Sequence, residues 1–158
     1  MAELRLLGLD DHEAVLQVYH DAVISQAPGR YSAAQIQAWA GHAARDPQVR
    51  LALRRGYGLV SLHPSEAQRI EAFALLDPGD RLSLLYCRGS ASRQGHGRSL
   101  VRALEHHARA AGCPRLRTEA SQFSRPLLER LGWQLEAEET VLFAGEPFVR
   151  WRMIRDLL

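Results

Sequence analysis

The stretch between Arg81 and Ser121 constrains this chain most. It reads as a strand, "RLSLLYC" (81–87), then a glycine-rich loop, then a helix whose apolar side runs through Leu100, Leu104, Ala108 and Ala111, then a second strand, "CPRLRTEAS" (113–121). Strand, helix and strand in this order make a right-handed crossover if the two strands pair in parallel. The strands just upstream have no room for a crossover. "GYGLVSLH" (56–63), "RIEAFALL" (69–76) and 81–87 are joined only by "PSEAQ" and by "DPGD", a strong turn signal, and read as an antiparallel meander.

The flanks complete one mixed α/β domain, expected to span 1–158. "ELRLLGL" (3–9) reads as a short strand, and Asp10 or Asp11 is expected to cap a helix that runs to about Ser25. "QAPGR" ends that helix, Ser32 offers a second N-cap, and "AAQIQAWAGHA" reads as a helix with Ile36, Trp39 and Ala40 on its apolar side. Residues 44–56, with several arginines and a proline, are ambiguous. "SRPLLERLG" (124–132) is a short helix stopped by Gly132, and the tail looks like two strands around a turn near "AGEP".

Composition narrows the function classes. At 158 residues, 46% hydrophobic and 24% charged, the chain can bury a core, and no apolar run approaches the roughly 20 residues a membrane-spanning helix needs. The start carries no signal-peptide pattern, so a cytoplasmic location is expected. A net charge of +2 gives little support to nucleic-acid binding. Cys87 and Cys113 supply neither a disulfide framework nor a zinc set, and the adjacent His106 and His107 point to different helix faces, so no metal site is expected. All 20 basic residues are arginine, which excludes a Walker-type phosphate loop and a lysine Schiff base.

"SRQGHGRSL" (92–100) breaks local rules. Glycine weakens a helix, and Arg93 and Arg98 oppose the macrodipole at its N-terminus by roughly 0.3–1 kcal/mol each. A bound polyphosphate makes both features favourable, because Gly95 and Gly97 let an anion approach free N–H groups and the arginines balance its charge. A dinucleotide site is the rival, with Glu119 near the end of the next strand where a ribose-binding acid would sit. Against it, the third glycine position is Leu100, seven residues separate Cys87 from Gly95, and too little chain follows for a doubly wound sheet.

With these residues in place, the chain resembles the GNAT family of acetyl-CoA-dependent N-acetyltransferases. "LYCRGSASRQGHGRSL" fits the family's loop and helix start without a gap, with Gly95 and Gly97 at the two small-residue positions. "SQFSRPLLERLGW" (121–133) lines up with the second signature, and "RYSAAQIQAWA" (30–40) is similar to the second helix of a subgroup of small bacterial members. The departures are Ser92 for the usual Gln or Arg, Arg88 and Gly89 for a His-Pro pair, Ser121 for Asn, and Leu128 where many members have a tyrosine that protonates the CoA thiolate.

The resemblance implies a mixed, mostly antiparallel sheet of about seven strands, flanked by about four helices, with a central parallel pair splayed for CoA. It implies transfer of acetyl from acetyl-CoA to a primary amine of a small molecule or peptide. The residues that would hold the cofactor are Leu85, Tyr86 and Cys87 on the strand, Arg93, Gln94, Gly95, His96, Gly97, Arg98 and Ser99 at the helix start, and Ser121 and Ser124. A main-chain N–H near Leu85 to Cys87 would stabilise the oxyanion. Glu71 and Glu119 are the candidate bases expected to line the cleft, and Tyr86 is a candidate proton donor, with Tyr31 or a water as substitutes. Cys87 reads as a small buried hydrophobe rather than a nucleophile, and Trp39, Trp133 and Trp151 as core or dimer-interface residues. A homodimer is compatible with the fold. Leu128 keeps a second function open, that of a non-catalytic acyl-CoA-binding or sensing module.

Overall fold

The change of sequence period near residue 56 is also a change of layer. In the computed structural model, which describes residues 2–158, the helices upstream of that point cover one face of a sheet that the rest of the chain largely builds. The strands are β1 (Glu3–Leu6), β2 (Tyr57–Leu62), β3 (Ile70–Leu76), β4 (Arg81–Cys87), β5 (Arg115–Ala120), β6 (Gln134–Phe143) and β7 (Glu146–Asp156). They form one sheet in the order β1-β2-β3-β4-β5-β7-β6, in which only β4 and β5 pair in parallel. The mixed sheet and its central parallel pair agree with the expectation.

Five helices flank it rather than about four: α1 (His12–Gln26), α2 (Ala33–Arg45), α3 (Pro47–Arg55), α4 (His96–Ala110) and α5 (Ser124–Arg130). The additional one is α3, which lies in the ambiguous stretch. Its start is well specified: Asp46 accepts a hydrogen bond from Gln48 N, and Pro47 occupies the first turn, where its missing N–H costs nothing. Ser32 caps α2 as expected, its hydroxyl accepting from Gln35 N while the Gln35 amide oxygen accepts from Ser32 N. The expected acidic cap of α1 differs in detail. Asp11 precedes the helix, but its carboxylate accepts from Gly8 N and pairs with Arg5 on β1.

Each face of the sheet has its own apolar layer. On one side Leu100, Val101, Leu104 and Ala108 of α4 pack with Leu128 of α5 and with Leu82, Leu116 and Met153. On the other, Val15, Val18 and Tyr19 of α1 meet Trp39 of α2, Leu53 of α3 and Phe73 of β3. The 3.6-residue spacing of the α4 set is what directs that helix onto the sheet. No helix among the described residues is long and apolar enough to cross a membrane.

Candidate active site

The parallel pair is short. Arg81 faces Arg117 and Leu82 faces Thr118, and no further β4–β5 pair follows, although β4 continues to Cys87 and β5 to Ala120. Thr118 Oγ1 donates to Leu82 O at 2.6 Å and closes the ladder there. Beyond it the strands diverge. Arg88 N donates to Glu71 O on β3, so by alternation the N–H groups of Leu85 and Cys87 point away from β3 into the gap.

A cleft of about 850 Å³ opens over this gap, walled by β4, the loop before α4, the end of β5 and α5. Its rim gathers free main-chain donors and positive charge. No main-chain N–H from Arg93 to Arg98 donates to a protein acceptor among the described residues, and the first α4 bond there is Ser99 N to Gly95 O. Arg93 and Gly95 both have positive φ (63° and 88°), which turns the chain so that these N–H groups come in succession. Arg30, Arg93, Arg98 and Arg130 line the cleft, and none of the four pairs with a carboxylate among the described residues.

Several residues expected at the cofactor sit in different roles. Leu85, Tyr86, Cys87, Arg93, Gly95, Gly97, Arg98, Ser121 and Ser124 line the cleft, whereas Gln94 and Ser99 do not. Ser99 N is spent on Gly95 O, so the free run stops at Arg98. His96 contributes main chain. Its ring turns inward, where Nδ1 meets the fully buried Ser61 hydroxyl at 2.6 Å, and burial pushes its pKa down, against the opposing pull of Glu71. A Cβ at Gly97 would lie 2.8 Å from Leu127 Cδ2, so this glycine makes room for α5 as well as for the cleft. Ser121 and Ser124 tie the turn into α5: Ser121 Oγ accepts from Phe123 N and Ser124 N, and Ser124 Oγ accepts from Ser121 N.

The two candidate bases separate. Glu119 lines the cleft with its carboxylate held by Arg81 (2.9 Å to Nε). Glu71 does not line this cleft; it is buried on β3, beside β4, and paired with Arg69. Tyr86 lies at the floor, its oxygen accepting from Trp39 Nε1 at 3.0 Å, and burial pushes its pKa up to about 12. Burial likewise pushes the Cys87 thiol up to about 11, with Glu71 and Asp21 adding to it, which leaves that sulfur protonated and a poor nucleophile. Leu128 is fully buried in the α4 layer. Tyr31 does not line this cleft, and its hydroxyl accepts from Gln122 N.

A second cavity of about 350 Å³ lies on the other side of the gap, and Trp39, Ser83, Leu84, Tyr86, Glu119 and Ser121 border both. Sequence reading missed this cavity, together with Arg30 and Arg130, because their residues come from separate segments with no shared motif.

A family model described as an acetyltransferase (GNAT) domain matches residues 29–155. The chain belongs to the GNAT acetyltransferase family. Solved structures similar to this GNAT chain include a GCN5-related N-acetyltransferase from Rhodopseudomonas palustris (TM-score 0.91, 22% identity, 99% of this chain and 96% of that one). The PaiA N-acetyltransferase of Thermoplasma acidophilum, solved in complex with coenzyme A, follows (TM-score 0.77, 15% identity, 99% of each chain). The acetyltransferase YncA of Salmonella typhimurium, with its cofactor acetyl-CoA, aligns over 100% of this chain and 95% of its own (TM-score 0.66, 19% identity). At these identities the likeness carries the GNAT fold alone. No curated protein matches the chain by sequence.

Proposed function

We propose that this GNAT protein moves an acetyl group from acetyl-CoA to a primary amine, and that the β4–β5 gap is where the two meet. The observation that carries the reading is the rim: six successive N–H groups and four arginines without partners among the described residues, above an opened parallel strand pair. A pyrophosphate needs main-chain donors and balancing charge, and this cleft offers both. The outward N–H groups of Leu85 and Cys87 suit an extended amide-bearing arm laid along β4. The coenzyme-A-bound Thermoplasma neighbour supports the same reading.

Acetyl-CoA supplies an activated thioester. The amine arrives as an ammonium and must lose a proton, and Glu119 is positioned at the junction of the two cavities to take it, directly or through water. The C–N bond then forms as the C–S bond breaks. The whole reaction is RNH3+ plus the thioester giving the amide, free thiol and one proton released to solvent. With Leu128 buried and Tyr86 holding its proton tightly, water is the donor to the leaving sulfur.

Calorimetry with acetyl-CoA and CoA tests the first half. Binding at micromolar protein is expected, with Arg93→Ala and Arg98→Ala each weakening it several-fold, an effect that shrinks as ionic strength rises; no heat with either ligand would sink the reading. Thiol release with an amine panel tests the second. Intact CoA binding with background release against every amine would instead favour a binding module.

A further inference from the structure

The smaller cavity carries information about the acceptor. Its walls are Tyr31, Trp39, Phe143 and Phe148, with Tyr86 at the end that opens on the gap. Tyr31 and Trp39 meet edge to face at 5.2 Å, Trp39 and Phe148 at 6.1 Å, and Phe143 and Phe148 at 5.5 Å. Val49 and Val141 also line it. Such a lining rewards an apolar body, and edge-to-face neighbours favour an aromatic one.

The charges around it are equally selective, because they are committed except at one atom: Arg81 holds Glu119 through Oε1, and Oε2 has no partner among the described residues. Glu119 is held by Arg81, Asp77 by Arg55, and Arg150 by Glu139. Asp46 caps α3 and faces His42, whose pKa burial pushes down. Beyond Glu119 Oε2, no carboxylate oxygen bordering the cavity is left for a second ammonium, and no arginine for a carboxylate, among the described residues. A ligand carrying a second charge would have to leave it unpaired in an apolar surround, which is costly. The volume of about 350 Å³ suits a small molecule.

From this lining and these closed ion pairs we infer that the acceptor is a small monoamine on an aromatic or branched aliphatic body, without a carboxylate or a second amine. It enters through the aromatic cavity and presents its nitrogen at Glu119. The inference rests on the larger cleft being the acetyl-CoA site. It excludes polyamines, free amino acids and folded proteins as preferred acceptors.

The test uses the full chain with acetyl-CoA and four probes of similar size: 2-phenylethylamine, 3-methylbutylamine, 1,5-diaminopentane and free leucine. The first two should exceed the last two in kcat/KM by about tenfold or more. A structural readout accompanies it. In the presence of CoA, 2-phenylethylamine should shift the Trp39 indole N–H resonance and leave those of Trp133 and Trp151 in place. Val141→Asp puts an unpaired acid on the cavity wall beside Phe148, outside the catalytic machinery, and should narrow the monoamine preference over the diamine about fivefold with CoA affinity unchanged. If CoA binds but the diamine or leucine is used as well or better, if no probe is acetylated, if the Trp39 signal stays fixed, or if Val141→Asp leaves the ratio unchanged, the acceptor inference is overturned while the acetyl-CoA reading stands. Failure to bind CoA at all overturns both.

Discussion

Two residues set the conformation of the loop before α4, and they carry opposite costs. Gly95 at φ 88° is at ease in the left-handed region, and a Cβ there would meet nothing within 4 Å. Arg93 at φ 63° is not at ease, and a non-glycine residue in that region is strained by roughly 1–2 kcal/mol. Gly95→Ala should therefore lower stability by about 1 kcal/mol, while Arg93→Gly should hold or raise it, both measured by urea unfolding. CoA affinity should fall in both, in the first through a distorted loop and in the second through a lost charge. A parallel fall in stability and affinity for Arg93→Gly would mean that the arginine is a structural residue. Gly97 does not belong in this comparison, since its missing side chain also accommodates Leu127.

At the scale of elements, local signals were the legible ones. The capping box at Ser32 and Gln35 is written within one turn of sequence, and Ser32→Ala should cost about 1 kcal/mol in thermal or urea unfolding without changing CoA affinity. The meander and the crossover were readable for a similar reason, because alternation and helical spacing are properties of short windows. Helix α3 was not, since Arg50, Arg54 and Arg55 obscured the apolar positions Val49, Ala52 and Leu53, and Pro47 fits a break as well as a first turn. The free N–H run was legible because it is contiguous. The inward turn of His96 was hidden because its partner, Ser61, stands 35 residues away on another strand. Glu71 and Glu119 looked equivalent in sequence and differ only in which neighbours the sheet order gives them.

For the molecule as a whole, acid stability and acceptor choice both follow from how distant segments are joined. Asp11 joins β1 to the start of α1, and hydrogen bonds from Arg5 hold its carboxyl below the ordinary aspartate range near 3.9, with Gly8 N helping and burial opposing. A carboxyl whose pKa is lower in the folded state stabilises fully above its unfolded value and loses that contribution as pH falls through its folded value. Asp11→Asn should therefore cost about 1 kcal/mol at pH 7, and the difference from the parent should shrink toward zero as unfolding is followed down to about pH 2. A cost that stayed constant with pH would assign the effect to packing. The two cavities show the same dependence on assembly. One is bounded chiefly by a single continuous segment after β4 together with α5, the other by α2, α3 and the β6–β7 hairpin. On the proposed reading, substitutions in α3 and the β6–β7 hairpin would redraw what is acetylated without touching the loop before α4, so acceptor choice can drift while the donor end of the reaction stays fixed.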